Sequence, residues 1–171
     1  MEKTFPAKKL VVLGLMLALT IVLLRLLVIV TPIVRISLGF IPVALVATLY
    51  GPFWAAAVFG IADFLGALFI LPTGPWFWGF TVTAAISGFI LGLFLYKRPK
   101  NWFFTLAPTL IICLGLTLVL DTYFLYAFFE QGFIAMIPGR IIKTAVMIPV
   151  YVIVLRFIQT KFDKVKESLH L

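Results

Sequence analysis

Four basic residues lie in or between strongly apolar segments of the chain: Arg25, Arg35, Arg140 and Lys143. Arg140 and Lys143 are three residues apart, which places them on one face of a helix. A guanidinium holds a carboxylate through two parallel hydrogen bonds, and a lysine ammonium adds a point charge. Ionisable groups inside a bilayer are costly and usually functional. These residues predict a pocket for a carboxylate-bearing ligand, although each one alone could be a cation that snorkels to the membrane interface.

Two acidic residues also lie in apolar segments. Asp63 has two interpretations that the residues leave open. It could form an ion pair with Arg25 or Arg140, or it could accept two parallel hydrogen bonds from a ligand such as a pterin, whose adjacent N–H groups match a carboxylate. Asp121 is interpreted as a structural partner of a basic residue.

Aromatic residues near the same end of the predicted segments could form the walls of a site for a flat ligand. Phe40 and Trp76 are the candidates for stacking, because aromatic faces pack well against aromatic ligands. Trp76 could equally anchor the chain at the membrane interface, where tryptophan is common. Tyr126 is expected to add a polar contact.

A pair of small residues, Gly14 and Ala18, lies on one face of the first apolar segment. Small residues at this spacing let another helix approach closely. The pair therefore indicates either packing inside the bundle or a docking face for a partner protein.

The elements that position these residues are predicted from hydropathy. The chain is 64% hydrophobic and 12% charged, with a mean hydropathy of +1.21, whereas a soluble domain is about half apolar and about a quarter charged. We therefore expect an all-α integral membrane protein, a single domain over residues 1–171. Six spans are predicted, at roughly 10–30, 38–49, 53–71, 77–96, 102–129 and 137–158.

The remaining basic residues orient this bundle. Ten of the 14 Lys and Arg fall before the first span, after the fourth and at the end of the sixth, which lie on one side if there are six spans. Cytoplasmic loops carry the excess of Lys and Arg, so both termini are expected in the cytoplasm. The net charge of +8 is explained in this way rather than by nucleic-acid binding.

Catalytic and metal chemistry have little support in the sequence. The single histidine is His170 and the single cysteine is Cys113, and no Walker loop or Ser/His/Asp arrangement is present. We expect no catalytic residue, no metal site and no cofactor.

Almost the whole chain resembles a known family, the substrate-binding S components of energy-coupling-factor (ECF) vitamin transporters, and most of all their folate-specific members. The resemblance rests on four segments: RISLGFIP at 35–42, 50–63 from YGP to the aspartate, PTGPWF at 72–77, and PGRIIK at 138–143. The family's first-span motif is usually Ala-x-x-x-Ala, and Gly14 replaces its first alanine here.

The resemblance implies a function. Such a subunit captures its vitamin, here folate, in a pocket on the outer side of the bacterial cell membrane. It then joins a membrane coupling protein and two ATPase subunits, and it topples to carry the pocket inward. The chain itself would hydrolyse nothing, and Gly14 and Ala18 would face the coupling protein. Arg25, Arg35, Phe40, Asp63, Trp76, Tyr126, Arg140 and Lys143 would bind the ligand.

Two alternatives remain open at this stage. The pocket could take another vitamin such as pantothenate, which is an anion but lacks a ring. The chain could instead be a non-transport membrane anchor or assembly subunit that uses the Gly14 and Ala18 face, in which case the outer cations would be snorkelled or paired.

Overall fold

The computed structural model describes the backbone at residues 7–30, 35–70, 77–97, 101–129 and 133–168. This part of the chain contains seven α-helices, two π-helical segments and two short strands. In chain order they are α1 (Ala7–Arg25), β1 (Val28–Val30), β2 (Arg35–Ser37), α2 (Phe40–Tyr50), α3 (Pro52–Leu65) with the π-helical segment Gly66–Ile70, α4 (Trp78–Leu95), α5 (Phe103–Leu110) with the π-helical segment Ile111–Leu120, α6 (Asp121–Phe129) and α7 (Phe133–Ser168).

The predicted helical membrane-protein fold is confirmed. Within the described residues, five helical stretches are long and apolar enough to cross a membrane, and α2 is a shorter apolar helix. The fifth predicted span is one continuous helical stretch made of α5, its π-helical segment and α6, which follow each other without a gap. The proline that could break this stretch, Pro108, lies inside α5.

One prediction about the first span is wrong in detail. Helix α1 ends at Arg25, whereas we expected it to continue to residue 30. Residues Val28–Val30 pair instead with Arg35–Ser37 as a small antiparallel hairpin, in which Val30 lies opposite Arg35. Three successive β-branched residues favour the extended conformation. The hairpin brings Ser37 back beside α1, where its hydroxyl donates to the Leu23 carbonyl at 3.3 Å.

Helix α2 lies at the centre of the bundle. Its residues Val43, Ala44, Val46 and Ala47 are fully buried, as expected for a helix that is apolar all round. At its first residue, Phe40 packs against Tyr151 of α7. The core therefore forms around α2, and its N-terminal end faces the helices that carry the predicted site.

Helices α3 and α4 approach each other closely through glycine. A side chain at Gly92 would overlap Pro52, and one at Gly88 would reach the backbone of Ala55. Small residues at a helix interface allow such close packing in membranes, where there is little hydrophobic force between helices. This contact fixes the position of α3, which carries Asp63.

Candidate functional site

A cavity of about 140 Å³ opens between α1, α2, α3, α7 and the π-helical segment Ile111–Leu120. Most of its wall is apolar or aromatic, with a few polar groups, which is the usual composition of a small-molecule site. The lining residues are Leu24, Ser37, Phe40, Phe59, Cys113, Thr117, Lys143, Thr144, Met147 and Tyr151.

Two aromatic rings line this cavity side by side. The centroids of Phe40 and Tyr151 are 3.7 Å apart and the rings are inclined by only 12°, so they are stacked. Phe40 was predicted from the sequence, whereas Tyr151 was not. The available signal was the spacing of Lys143, Met147 and Tyr151, which are four residues apart and share one face of α7.

The basic pair predicted on α7 lies at the other end of the same helix face. Lys143 lines the cavity. Arg140, one turn earlier, donates from Nη1 to the backbone carbonyl of Thr117 at 3.1 Å. The guanidinium is thereby held against the π-helical segment that contributes Cys113 and Thr117 to the cavity wall.

Asp121 lies among these charges. Its carboxyl interacts electrostatically with Lys143, Arg140 and Asp63, and it lies within reach of the Thr83 side chain. The interpretation of Asp121 as a structural partner of a basic residue is consistent with this placement. Negative charge at this position offsets part of the positive charge that Arg140 and Lys143 bring to the site.

Arg25 and Asp63 form an ion pair. Arg25 Nη2 lies 3.1 Å from Asp63 Oδ1, and the side chains are only 11% and 20% exposed. The Thr81 hydroxyl donates to the other carboxylate oxygen, Oδ2, at 3.1 Å. Of the two interpretations of Asp63, the ion pair with Arg25 is therefore present in the structure. Direct binding of a ligand by Asp63 stays a prediction.

The three other predicted binding residues are not among the described residues that line the cavity. Arg35 lies in β2, opposite Val30. Tyr126 lies on α6 and is 56% exposed; it is not among the described residues that line the cavity. Trp76 lies outside the described residues.

Sequence analysis missed three polar residues of the cavity wall, Ser37, Thr117 and Thr144. Thr144 follows Lys143 directly and could have been found from the helical face of α7. Thr117 could not, because a π-helix turns its residues through smaller angles than an α-helix, so a 3.6-residue period does not predict its faces.

The predicted docking face on α1 is uncovered by the part of the chain that the structure describes. A side chain at Gly14 would meet nothing within 4 Å, and Ala18 is exposed. The neighbouring Val11 and Leu15 are 70% and 64% exposed. This face is therefore open to lipid or to another protein.

Comparison with known proteins defines the class. The family model of the ECF transporter substrate-specific component matches residues 8–158, which is most of the chain, and the protein belongs to this family. It is a component of a membrane transporter and not an enzyme.

Within this family, the chain is similar to folate transporters. The chain is 36% identical to the folate transporter FolT of Clostridium novyi (strain NT) over 140 residues, covering 82% of this chain and 81% of that protein. It is 34% identical to FolT of Leuconostoc mesenteroides over 152 residues, covering 85% and 80%. A crystal structure of FolT bound with folic acid superposes with a TM-score of 0.83 at 30% identity, covering 91% of this chain and 95% of that one.

Proposed function

We propose that this protein is the folate-binding subunit of an ECF importer and that folate binds in the cavity between α1, α2, α3 and α7. The observation that carries the proposal is one wall of that cavity, where α7 presents Lys143 and Tyr151 on a single face while Phe40 stacks on Tyr151. The likeness to FolT bound with folic acid supports the same ligand.

The chemistry of folate matches the two ends of this wall. Its glutamate moiety carries two carboxylates, and Arg140 and Lys143 supply the charge-assisted hydrogen bonds that carboxylates accept. Its flat rings suit an aromatic and apolar surface such as that of Phe40 and Tyr151. We therefore assign the carboxylates to the Lys143 end of the cavity and the ring system to the Tyr151 end.

The other predicted binding residues keep proposed roles of two kinds. Arg25 and Asp63 form an ion pair, and we propose that this pair borders the site. When folate is bound, the Asp63 carboxylate would accept hydrogen bonds from N–H groups of the pterin. Arg35 and Trp76 belong to the segments after the first and third spans, and Tyr126 lies near the end of the fifth span, on α6. We propose that these three residues contact the ligand and that the segments after the first, third and fifth spans close over it.

For the assembled transporter, we propose that both termini are cytoplasmic and that the cavity opens to the outside of the bacterial cell membrane. A membrane coupling protein would dock on the exposed face of α1 at Gly14 and Ala18, which no described residue of this chain covers. Two partner ATPases would drive toppling of the docked subunit and carry the cavity inward.

The test is calorimetric titration of the purified, detergent-solubilised protein with folate, with thiamine and pantothenate as controls. Tight one-to-one binding of folate alone would support the proposal. Binding of pantothenate and not of folate would show that the subunit binds another vitamin. Absence of binding to all three by protein shown to be folded would favour another ligand for this subunit.

A further inference from the structure

One buried hydroxyl in the cavity wall makes no hydrogen bond to any residue that the structure describes. Thr144 lies on α7, is only 5% exposed and lines the cavity. Its Oγ1 has no hydrogen-bond partner in the part of the chain that the structure describes. Buried polar groups are nearly always paired, so an unpaired one at a cavity calls for an explanation.

Among the described Thr and Ser residues that are buried in helices, Thr144 is unusual in this respect. A buried Thr or Ser in a helix satisfies itself by donating to the carbonyl four residues earlier. That bond is made by Thr20 to Met16, Thr83 to Gly79, Ser87 to Thr83, Thr109 to Thr105 and Thr122 to Leu118. Thr105 instead donates to the Gln159 side chain at 2.9 Å. Thr144 makes neither kind of bond.

The position of Thr144 along α7 indicates which part of a ligand it would meet. It lies one turn after Arg140 and directly after Lys143, and Tyr151 lies two turns further on. The hydroxyl is therefore placed between the cationic end of the cavity and the stacked rings of Phe40 and Tyr151. Met147 is the next side chain on the same face.

We infer that Thr144 is a ligand-binding residue and that its hydroxyl hydrogen-bonds the heteroaromatic ring system of the ligand rather than its carboxylates. This inference rests on the proposal that the cavity binds folate. Arg140 and Lys143 match the carboxylates in charge. A hydroxyl is neutral and both donates and accepts, which suits a pterin, whose edge carries donors next to acceptors.

The experiment compares Thr144→Val with Thr144→Ser. Valine keeps the shape of the side chain and removes the hydroxyl, whereas serine keeps the hydroxyl. Thr109→Val is the matched control, because it removes a buried hydroxyl that bonds its own helix and does not line the cavity. Each variant is titrated with folate and with pteroate, which is folate without its glutamate.

We expect Thr144→Val to weaken folate and pteroate by the same factor, about tenfold, the usual effect of losing one hydrogen bond to a ligand. Thr144→Ser and Thr109→Val should bind as the wild type does. The melting temperature of ligand-free Thr144→Val should not fall, because the hydroxyl makes no hydrogen bond to a described residue. A hydroxyl needed only for folding would lower that melting temperature.

Three results would overturn the inference. Unchanged folate affinity in folded Thr144→Val would remove the hydroxyl from the site. Weaker folate binding with unchanged pteroate binding would place the contact on the glutamate. A wild type that binds neither compound would overturn the proposed function itself. If Thr144→Val does not fold, Thr144→Ala takes its place in the titrations. Alanine also lacks the hydroxyl, and it adds no methyl group where the hydroxyl was.

Discussion

The guanidinium of Arg25 lies against the carboxylate of Asp63, with Nη2 3.1 Å from Oδ1 and 3.2 Å from the Asp63 backbone oxygen. Thr81 of α4 donates to the second carboxylate oxygen, so one acidic side chain joins α1, α3 and α4. Gly66 leaves room for this pair, since a side chain there would come within 2.9 Å of Arg25 Nε. The end of α1 nearest the cavity is therefore fixed to α3 by charge.

We predict that Arg25→Met destabilises the protein by about 3 kcal/mol, because removing one partner of a buried ion pair leaves the other charge uncompensated. The double variant Arg25→Met, Asp63→Leu should recover most of that loss, since neither charge then remains. The midpoint of thermal unfolding in detergent, compared across both single variants and the double variant, measures the coupling. Losses that simply add would show that the two side chains do not stabilise each other.

We predict that Arg140→Ala weakens folate binding without unfolding the protein. A charge-assisted contact is worth about 1.5–3 kcal/mol, which is roughly a ten- to hundredfold change in affinity. Arg156→Ala is the matched control, because Arg156 lies on the same helix, close to the ring of Trp102 and away from the cavity. Calorimetric titration measures both variants. Equal affinities in the two folded variants would remove Arg140 from the site.

Much of the fold follows from the sequence because membrane spans depend on a simple property. Runs of apolar residues predicted six segments, and five long helical stretches and the shorter α2 occupy them. The hairpin after α1 was not predicted, since a short strand is stabilised by its pairing partner and Val28–Val30 also fit the end of an apolar helix. Arg25 was identified from the sequence because a charge in an apolar segment is easily recognised, and in the structure it pairs with Asp63.

The site was less predictable, for physical reasons. Some residues of the site are far apart in the chain and meet only because their helices pack together, as Phe40 and Tyr151 do. The periodicity of a single helix cannot predict such a contact. Thr117 lies in the π-helical segment Ile111–Leu120, where the α-helical period does not hold. Asp63 was left between two interpretations, because its partner depends on how α1 packs against α3.

We predict that Gly92→Ala destabilises the bundle while Gly14→Ala does not. A methyl group at Gly92 would overlap the backbone of Pro52, so α3 and α4 would have to separate, whereas no described residue lies within 4 Å of a methyl group at Gly14. Overpacking of this kind costs about 1–3 kcal/mol. Thermal unfolding of the two variants in detergent checks it. Equal unfolding midpoints would show that α3 and α4 can separate enough to accommodate the methyl group without a loss of stability.

The last prediction concerns the exposed face of α1. We expect Gly14→Leu to bind folate as the wild type does and to abolish uptake by the assembled transporter. A Cβ atom at Gly14 would have no described residue within 4 Å, so we expect the protein to accommodate the new side chain without a change in its fold. It would however fill the gap that a small residue leaves for a close helix contact.

The matched control for that prediction is Gly115→Leu. Gly115 is also exposed, and a Cβ atom there would also have no described residue within 4 Å, but it lies in the fifth span. Titration measures binding, and uptake of labelled folate by cells that carry the coupling protein and the ATPases measures transport. Loss of uptake in Gly14→Leu alone would place the coupling protein on α1, because the two variants add the same side chain to different helices. Normal uptake in Gly14→Leu would contradict the proposed docking face. Loss of uptake in both variants would mean that a larger side chain on any exposed helix face disturbs the transporter, and it would not support a specific docking face on α1.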